Sequence, residues 1–288
     1  MPARAPSWGK LLARGRARLE QAGIDEADNK LRWVAGHLLG CGLLDVLRHL
    51  DDVPAPTEAG QFGTMLGRLE RHEPVQYVIG ETDFMGLRIQ CDPRALIPRP
   101  ETEGLVRCAE EFLRSRTGTP VVVDVGTGTG CIACALAKRV PQARVVATDV
   151  CAATLDLARA NARALGVVVD FLHADLLADL PAASADLVVS NPPYVSTAEC
   201  IRLPRSIRDY EPRGALDGGP DGLRIISRLV SEAARVIFPG GRLMIEIGED
   251  QADAVRELLC PKAHFKFVAI QSDFAGNPRL AVAERSRT

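Results

Sequence analysis

Apolar residues recur every three or four positions along the first 75 residues, which is the period of helices with one buried face. Glycines and prolines interrupt this pattern and divide it into separate segments. The segments predict helices at residues 7–22, 25–39, 42–49 and 57–71. No group of side chains with evident chemistry lies among them. A small helical bundle is therefore expected over residues 1–73.

The period changes after Pro74. Two short β-like runs, at residues 75–80 and 87–91, flank a turn-rich stretch that contains Asp83 and Gly86. This arrangement predicts a β-hairpin linker over residues 74–95.

Strands and helices then alternate to the end of the chain. A rigid segment with prolines at positions 98 and 100 leads into a predicted helix at 104–116. Predicted strands follow at 120–125, 144–148, 167–172, 185–190, 241–247, 264–270 and 279–283, with helices at 131–139, 152–165, 222–237 and 250–259. The strands are almost continuously apolar, which is typical of a parallel sheet covered on both faces.

Only residues 271–278 separate the last two predicted strands, and this is too short for a helical crossover. The last strand is therefore expected to be antiparallel. The predicted fold is α/β, with a seven-stranded Rossmann-like sheet in residues 96–288 and a small N-terminal helical bundle.

Composition narrows the possible functions. The chain has 288 residues, 47% hydrophobic and 25% charged, and a formal net charge of −2. This charge gives no support to nucleic-acid binding, which uses basic surfaces. There is no apolar run of about 18 residues and no signal-peptide pattern at the N-terminus, so we expect a cytoplasmic protein that does not bind membranes.

Eight cysteines are scattered along the chain, and only Cys131 and Cys134 have C-x-x-C spacing. They stand at the start of a predicted helix, directly after a glycine loop, where small buried side chains are needed. No second C-x-x-C or histidine pair would complete a metal site. We interpret the two as reduced core thiols and predict no metal.

A glycine-rich loop follows the first strand of the predicted sheet and opens a helix, so that its backbone could approach a ligand closely. The candidate cofactor-binding residues here are Asp124, Gly126, Thr127, Gly128, Thr129 and Gly130. A dinucleotide fingerprint requires a glycine at position 131, which is a cysteine. Asp124 would also repel a pyrophosphate, whereas it suits a ligand that carries an ammonium and a sulfonium.

Two further aspartates stand at the ends of the next two strands. Asp149 could accept hydrogen bonds from both hydroxyls of a ribose. Asp175 would lie near an adenine amino group, with Leu176 as an apolar wall. Each aspartate alone could be a strand-end turn or a helix cap. Their joint placement beside the glycine loop predicts a site for S-adenosylmethionine.

The four residues Asn191, Pro192, Pro193 and Tyr194 end an apolar strand run. A side-chain amide, two rigid prolines and an aromatic ring can hold a planar, poorly nucleophilic nitrogen before an electrophile. The Asn191 side-chain oxygen and the Pro192 carbonyl would accept the hydrogens of that nitrogen, and Tyr194 would pack on the planar group. Because a sulfonium is already activated, most of the catalysis would be positioning. We therefore predict Asn191, Pro192 and Tyr194 as catalytic and all four as substrate-binding residues.

The same four residues also suit enzymes that methylate adenine N6 in DNA or guanine N2 in ribosomal RNA. A nucleic-acid enzyme should show a basic groove or a target-recognition domain, which the net charge does not favour. A third possibility is a non-catalytic binding protein, against which the intact Asn191 and glycine loop argue.

These motifs resemble the bacterial HemK/PrmC family, which methylates the glutamine of the Gly-Gly-Gln motif in peptide-chain release factors. The related family acting on ribosomal protein L3 lacks the Arg-Pro-Glu-Thr-Glu sequence found at residues 99–103. The resemblance covers residues 73–77 with Gly80, 96–103, the glycine loop, Asp149, residues 191–194 and the hairpin at 273–279.

The resemblance implies a class I methyltransferase fold and methyl transfer from S-adenosylmethionine to the glutamine N5. It implies that residues 1–73 dock the release factor, and that Asn191 contacts both cofactor and substrate. No direct nucleic-acid partner is expected, and the protein is expected to be a monomer. One departure is Leu176, which stands where some members carry an aromatic side chain.

Overall fold

The computed structural model describes residues 5–259 and 264–287. These residues form two compact units, one of residues 5–81 with 204–210 and one of the remaining residues. The helices are α1 Trp8–Gln21, α2 Ala27–Leu39, a 3₁₀ helix Asp45–His49, α3 Pro56–Leu69, α4 Val75–Ile79, α5 Thr102–Arg114, α6 Cys131–Arg139, α7 Ala152–Leu165, α8 Thr197–Cys200, α9 Arg205–Arg208, a 3₁₀ turn Arg213–Ala215, α10 Arg224–Val236 and α11 Ala252–Leu259.

The strands are β1 Glu81–Phe84, β2 Leu87–Gln90, β3 Val121–Val125, β4 Arg144–Asp149, β5 Asp170–His173, β6 Ala185–Ser190, β7 Ile237–Glu246, β8 Phe265–Ser272 and β9 Pro278–Arg285. Within the described ranges, no helix is both long and apolar enough to cross a membrane.

The first unit has its own apolar core, centred on Trp8 and Phe62, whose rings meet edge to face with centroids 5.7 Å apart. Helix α3 begins where the sequence favours a start, because Pro56 occupies its first turn and the Glu58 carboxylate accepts the Ala55 N–H at 2.7 Å. The four predicted helices of this region are present, the third of them as a 3₁₀ helix.

The prediction of a strand at residues 75–80 is wrong, because Val75–Ile79 is helix α4. Pro74 precedes the helix, and Gly80 ends it with a φ of 91°. Val75 and Val78 are buried one turn apart, so tertiary burial overrides their β-branched preference. The hairpin exists one segment later, between β1 and β2, with its turn at Met85 and Gly86, where φ is positive at both positions.

The second unit is built on a seven-stranded sheet of order β5-β4-β3-β6-β7-β9-β8. The pairs from β5 to β7 are parallel, and β9 runs antiparallel to both β7 and β8. The predicted fold class, including the antiparallel last strand, is confirmed. Two strand boundaries differ by more than two residues: the third strand begins at Asp170 instead of residue 167, and β7 begins directly after α10, at Ile237 instead of residue 241.

The strand order reverses between β3 and β6, since the chain leaves β3 toward β4 on one side and returns to β6 on the other. In such sheets a crevice opens at the carboxyl ends of the strands flanking the reversal. The glycine loop follows β3, Asp149 ends β4, and Asn191 follows β6. The sheet therefore gathers three distant sequence motifs at one edge.

Candidate active site

The glycine loop is held in a compact turn after β3. The Thr127 N–H donates to the Thr148 carbonyl at 2.9 Å, and the Gly130 N–H donates to the Thr127 carbonyl at 2.8 Å. Gly130 has a φ of 80°, and a Cβ atom there would lie 3.0 Å from the Cβ of Ala158 on α7. A side chain at position 130 would therefore push α7 away from the loop.

Asp124 is fully buried beneath this loop. Its Oδ2 accepts hydrogen bonds from the Thr127 hydroxyl at 2.6 Å and from the Ala133 N–H at 3.2 Å. Its Oδ1 has no partner among the described residues. Burial raises the pKa of this carboxyl to about 7, against the opposing effect of the two hydrogen bonds. A buried carboxylate with one open oxygen fits a cationic group, which would compensate both its charge and its missing hydrogen bond.

Asp149 lies beside the loop at the end of β4. Its Oδ2 accepts the Gly128 N–H at 3.1 Å, and its Oδ1 accepts the Cys151 N–H at 2.9 Å. Burial raises the pKa of this carboxyl. Each oxygen still has one acceptor position, so the geometry suits a pair of neighbouring hydroxyls.

Asp175 and Leu176 lie at the third strand end, but their side chains do not join this polar cluster. The Asp175 carboxylate is exposed and accepts a hydrogen bond from Arg228 at 2.9 Å. Leu176, with a φ of 52°, is half-buried against the apolar core of the second unit. The link to the site runs through the backbone, where the Ala174 N–H donates to the Asp149 carbonyl at 3.1 Å.

Asn191 and Tyr194 are tied to one buried carboxylate, that of Glu246 at the end of β7. Asn191 Nδ2 donates to the Thr102 hydroxyl at 3.1 Å, and that hydroxyl donates to Glu246 Oε2 at 2.7 Å. The Tyr194 hydroxyl donates to Glu246 Oε1 at 3.3 Å. Burial raises the pKa of Tyr194 to about 12, with the Glu246 charge adding to the effect, so the phenol stays a neutral donor.

The backbone of the same motif is held from the other side by residues 216–222. Val195 exchanges backbone hydrogen bonds with Leu216 and Gly218 at 3.0 and 2.8 Å. The Gln251 amide donates to the Tyr194 carbonyl at 2.9 Å. Gly222 has a φ of 75° and packs so closely that a Cβ atom there would lie 2.2 Å from the backbone carbonyl oxygen of Tyr194.

The segment at residues 96–103 is anchored by a second buried carboxylate, Glu211. Its Oε2 accepts the Ile97 N–H at 3.1 Å, and its Oε1 accepts Arg99 Nη2 at 2.5 Å. Glu211 is only 5% exposed, so the ion pair is largely shielded from water. The anchored segment carries Thr102 at its end, next to Asn191.

Two family models match the chain, the PrmC N-terminal domain over residues 10–80 and the methyltransferase small domain over residues 107–203. The release factor glutamine methyltransferase of Moorella thermoacetica is 39% identical over 276 residues, which cover 93% of this chain and 95% of the relative. The enzyme of the same name from Deinococcus radiodurans is 38% identical over 277 residues, or 96% of this chain and 98% of the relative. The chain belongs to the release factor glutamine methyltransferase family. The resemblance inferred from the sequence motifs is confirmed.

Solved structures of other methyltransferases share the fold. The ribosomal protein L11 methylase of Lactobacillus delbrueckii subsp. bulgaricus superposes with a TM-score of 0.50 at 21% identity, covering 69% of this chain and 85% of that chain. A methyltransferase from Pyrococcus furiosus gives 0.51 at 19% identity, covering 70% and 91%. These likenesses concern the fold alone. As a member of its family the protein is a methyltransferase, and its methyl donor is S-adenosylmethionine.

Several residues that shape the site were not singled out from the sequence. Glu246 is a charged residue at the end of β7, between the apolar run Leu243–Ile245 and Ile247, a signal that could have been noticed. Thr102 and Glu211 carry no such local signal. Asn161 on α7 is also buried, and its Nδ2 donates to the Thr129 carbonyl at 2.9 Å while its Oδ1 accepts the Gln90 N–H at 2.8 Å. It thereby fixes the glycine loop to strand β2.

The C-x-x-C pair plays no visible part in this chemistry. Cys131 and Cys134 are buried on α6, and burial raises the pKa of Cys134 to about 12 and that of Cys131 further. Both thiols therefore stay protonated near neutral pH, as core side chains do.

Proposed function

We propose that this protein transfers a methyl group to the side-chain N5 of the glutamine in the Gly-Gly-Gln motif of class I release factors, and thereby modulates translation termination. The proposal rests on the hydrogen bonding of the Asn191 side chain. Its Nδ2 is engaged by Thr102, whereas its Oδ1 accepts no hydrogen bond from the described residues. An open acceptor at the same sheet edge as Asp124 and Asp149 suits an incoming amide N–H.

The proposed substrate contacts follow from this geometry. Asn191 Oδ1 and the Pro192 carbonyl accept the two hydrogens of the glutamine amide, which orients its nitrogen and raises the electron density there. Pro193 stiffens the loop, and Tyr194 packs on the planar amide and excludes water. Amide nitrogen is a weak nucleophile, so the rate enhancement comes mainly from fixing distance and angle.

The proposed cofactor contacts use the buried carboxylates. S-adenosylmethionine, when bound, supplies an electrophilic methyl group on sulfur. Asp124 Oδ1, the oxygen of that carboxylate without a partner among the described residues, would accept a hydrogen bond from the ammonium group of the cofactor. Asp149 would bind the ribose hydroxyls, and residues 126–130 would line the cofactor with backbone.

Asp175 and Leu176 would lie at the adenine. For Asp175 to accept from the adenine amine, its ion pair with Arg228 must share the carboxylate or open. The side chains of Asp175 and Arg228 are both about half exposed, so breaking their ion pair has a small free-energy cost.

The domain at residues 1–73 would dock the release factor, and residues 74–95 would link it to the methyltransferase domain at residues 96–288. The proposal further includes a monomer that acts in the cytoplasm and binds no nucleic acid directly. Light scattering coupled to gel filtration checks the monomer, since a dimer mass would contradict it.

The test is an incubation of the purified protein with labelled cofactor and, separately, a class I release factor, ribosomal protein L3 and bulk nucleic acid. Label should enter the release factor alone, and peptide mass spectrometry should place one methyl group on the Gly-Gly-Gln glutamine. The matched control is a release factor with that glutamine replaced by asparagine, which should stay unlabelled. Label in nucleic acid but not in release factor would overturn the proposal.

A further inference from the structure

A single buried carboxylate holds both ends of the substrate motif. Glu246 is 2% exposed; its Oε2 accepts from the Thr102 hydroxyl, and its Oε1 accepts from the Tyr194 hydroxyl. Thr102 is also 2% exposed and is the only described partner of the Asn191 amide nitrogen. Asn191 and Tyr194 are therefore positioned relative to one another through residues outside their own loop.

The chemistry of the three groups gives the chain of hydrogen bonds one direction. Burial raises the pKa of Glu246, whereas the hydrogen bonds from Thr102 and Tyr194 and the charge of Arg279 favour its ionised form. As a carboxylate it can only accept, so the Thr102 hydroxyl donates its hydrogen to Glu246. The hydroxyl oxygen then has only lone pairs left for Asn191. Consequently Asn191 must turn its NH₂ group toward Thr102, which leaves its carbonyl oxygen for a ligand.

We propose that Thr102 and Glu246 are positioning residues that select the acceptor orientation of Asn191 toward the substrate amide. If the Asn191 amide were rotated by half a turn, its NH₂ would face the substrate NH₂, and two donors would meet. The inference rests on the proposed function for its kinetic part, since it concerns how the glutamine nitrogen is held.

A packing role for Thr102 predicts a different result from a hydrogen-bonding role. Valine has nearly the same shape as threonine but no hydroxyl, whereas serine keeps the hydroxyl and loses a methyl group. If Thr102 only fills space, Thr102→Val should behave like the wild type and Thr102→Ser should be worse. If the hydroxyl orients Asn191, the order is reversed.

The kinetic experiment measures kcat, KM for release factor and Kd for cofactor in both variants. We expect Thr102→Val to lower kcat about 10- to 100-fold, because the Thr102 hydrogen bonds to Asn191 and Glu246 are both lost. The cofactor Kd should change less than about twofold. Thr102→Ser should stay within about threefold of the wild type. The matched control is Thr82→Val, a buried threonine of strand β1, which should leave kcat unchanged.

A second readout needs no substrate. The chain contains only four asparagines, Asn29, Asn161, Asn191 and Asn277. Labelling with [¹⁵N]asparagine therefore gives four side-chain amide signals by NMR. In Thr102→Val and in Thr102→Ala, the Asn191 signal should shift and broaden, while the buried Asn161 signal stays in place and reports an intact fold. In Thr102→Ser all four should remain.

The two readouts separate the two hypotheses. A wild-type enzyme that does not label release factor overturns the proposed function, but the Asn191 signal still tests the positioning. A folded Thr102→Val protein with kcat within twofold of the wild type, or with an unchanged Asn191 signal, overturns the positioning role. Should Thr102→Val not fold, Thr102→Ala serves for the same measurements.

Discussion

Replacing Asp124 by asparagine should stabilise the cofactor-free protein and at the same time weaken cofactor binding. The carboxyl is fully buried, its Oδ1 has no partner among the described residues, and its charge is uncompensated until a cation binds. Asparagine keeps an oxygen for the Thr127 hydroxyl and removes the charge. The change therefore acts in opposite directions on folding and on binding.

The size and pH dependence follow from the pKa of Asp124, which burial raises from 3.8 to about 7. This difference corresponds to roughly 4 kcal/mol of unfolding free energy. Below about pH 4 the carboxyl is protonated in both states and costs nothing. As the pH rises to 7, the unfolded chain ionises first, so the wild type loses stability progressively. Above pH 7 the loss is complete.

The assay is urea unfolding of both proteins without cofactor, from about pH 5 to about pH 8. The advantage of Asp124→Asn should grow by about 2–3 kcal/mol over this range, because the other titrating groups cancel in the difference. Isothermal titration at about pH 8 should show cofactor binding weakened at least about tenfold. The control is Asp179→Asn, an exposed carboxylate, which should show neither effect. A stability difference that does not change with pH, or an unchanged cofactor affinity, would refute the reasoning.

Three further predictions concern neighbouring parts of the site. Cofactor binding at about pH 7 should release about half a proton, because the bound ammonium group favours the ionised form of Asp124, which is half protonated at this pH. Calorimetry in buffers of different ionisation enthalpy measures this release, and a binding enthalpy that does not depend on the buffer would contradict it. Asn191→Ala should leave cofactor Kd within about tenfold but lower kcat by more, since it removes positioning in the transition state; equal losses in both would assign Asn191 to the cofactor. Gly222→Ala should destabilise the protein by roughly 2–4 kcal/mol and reduce activity, since its Cβ would lie 2.2 Å from the Tyr194 carbonyl oxygen; thermal unfolding measures the loss of stability. Gly118→Ala is its control, because Gly118 has a similar φ of 79° with open space around it, and equal destabilisation by both would argue against the clash.

Local patterns were sufficient for much of this protein. The apolar periods located the longer helices and the seven strands of the large sheet, because each of these elements must bury one face or both. The short helices α4, α8 and α9 and strand β1 were not predicted. The short interval at residues 271–278 predicted an antiparallel last strand, and β9 is antiparallel. The same patterns failed at residues 75–80, where Val75 and Val78 are helical because the core of the helical unit buries them. Burial against distant residues is not encoded in a five-residue window.

Local sequence patterns were enough to place each motif at the end of its strand: the glycine loop after β3, Asp149 at β4 and Asn191 to Tyr194 after β6. Each of these is contiguous, so its chemistry can be recognised from neighbouring residues. The residues that hold these motifs in place are distant in sequence and are recognised only in the folded chain. Thr102 meets Glu246 across 144 positions, and Ile97 meets Glu211 across 114. Such contacts arise because a parallel sheet brings the ends of distant strands together, and a buried carboxylate must then find its donors wherever the fold supplies them.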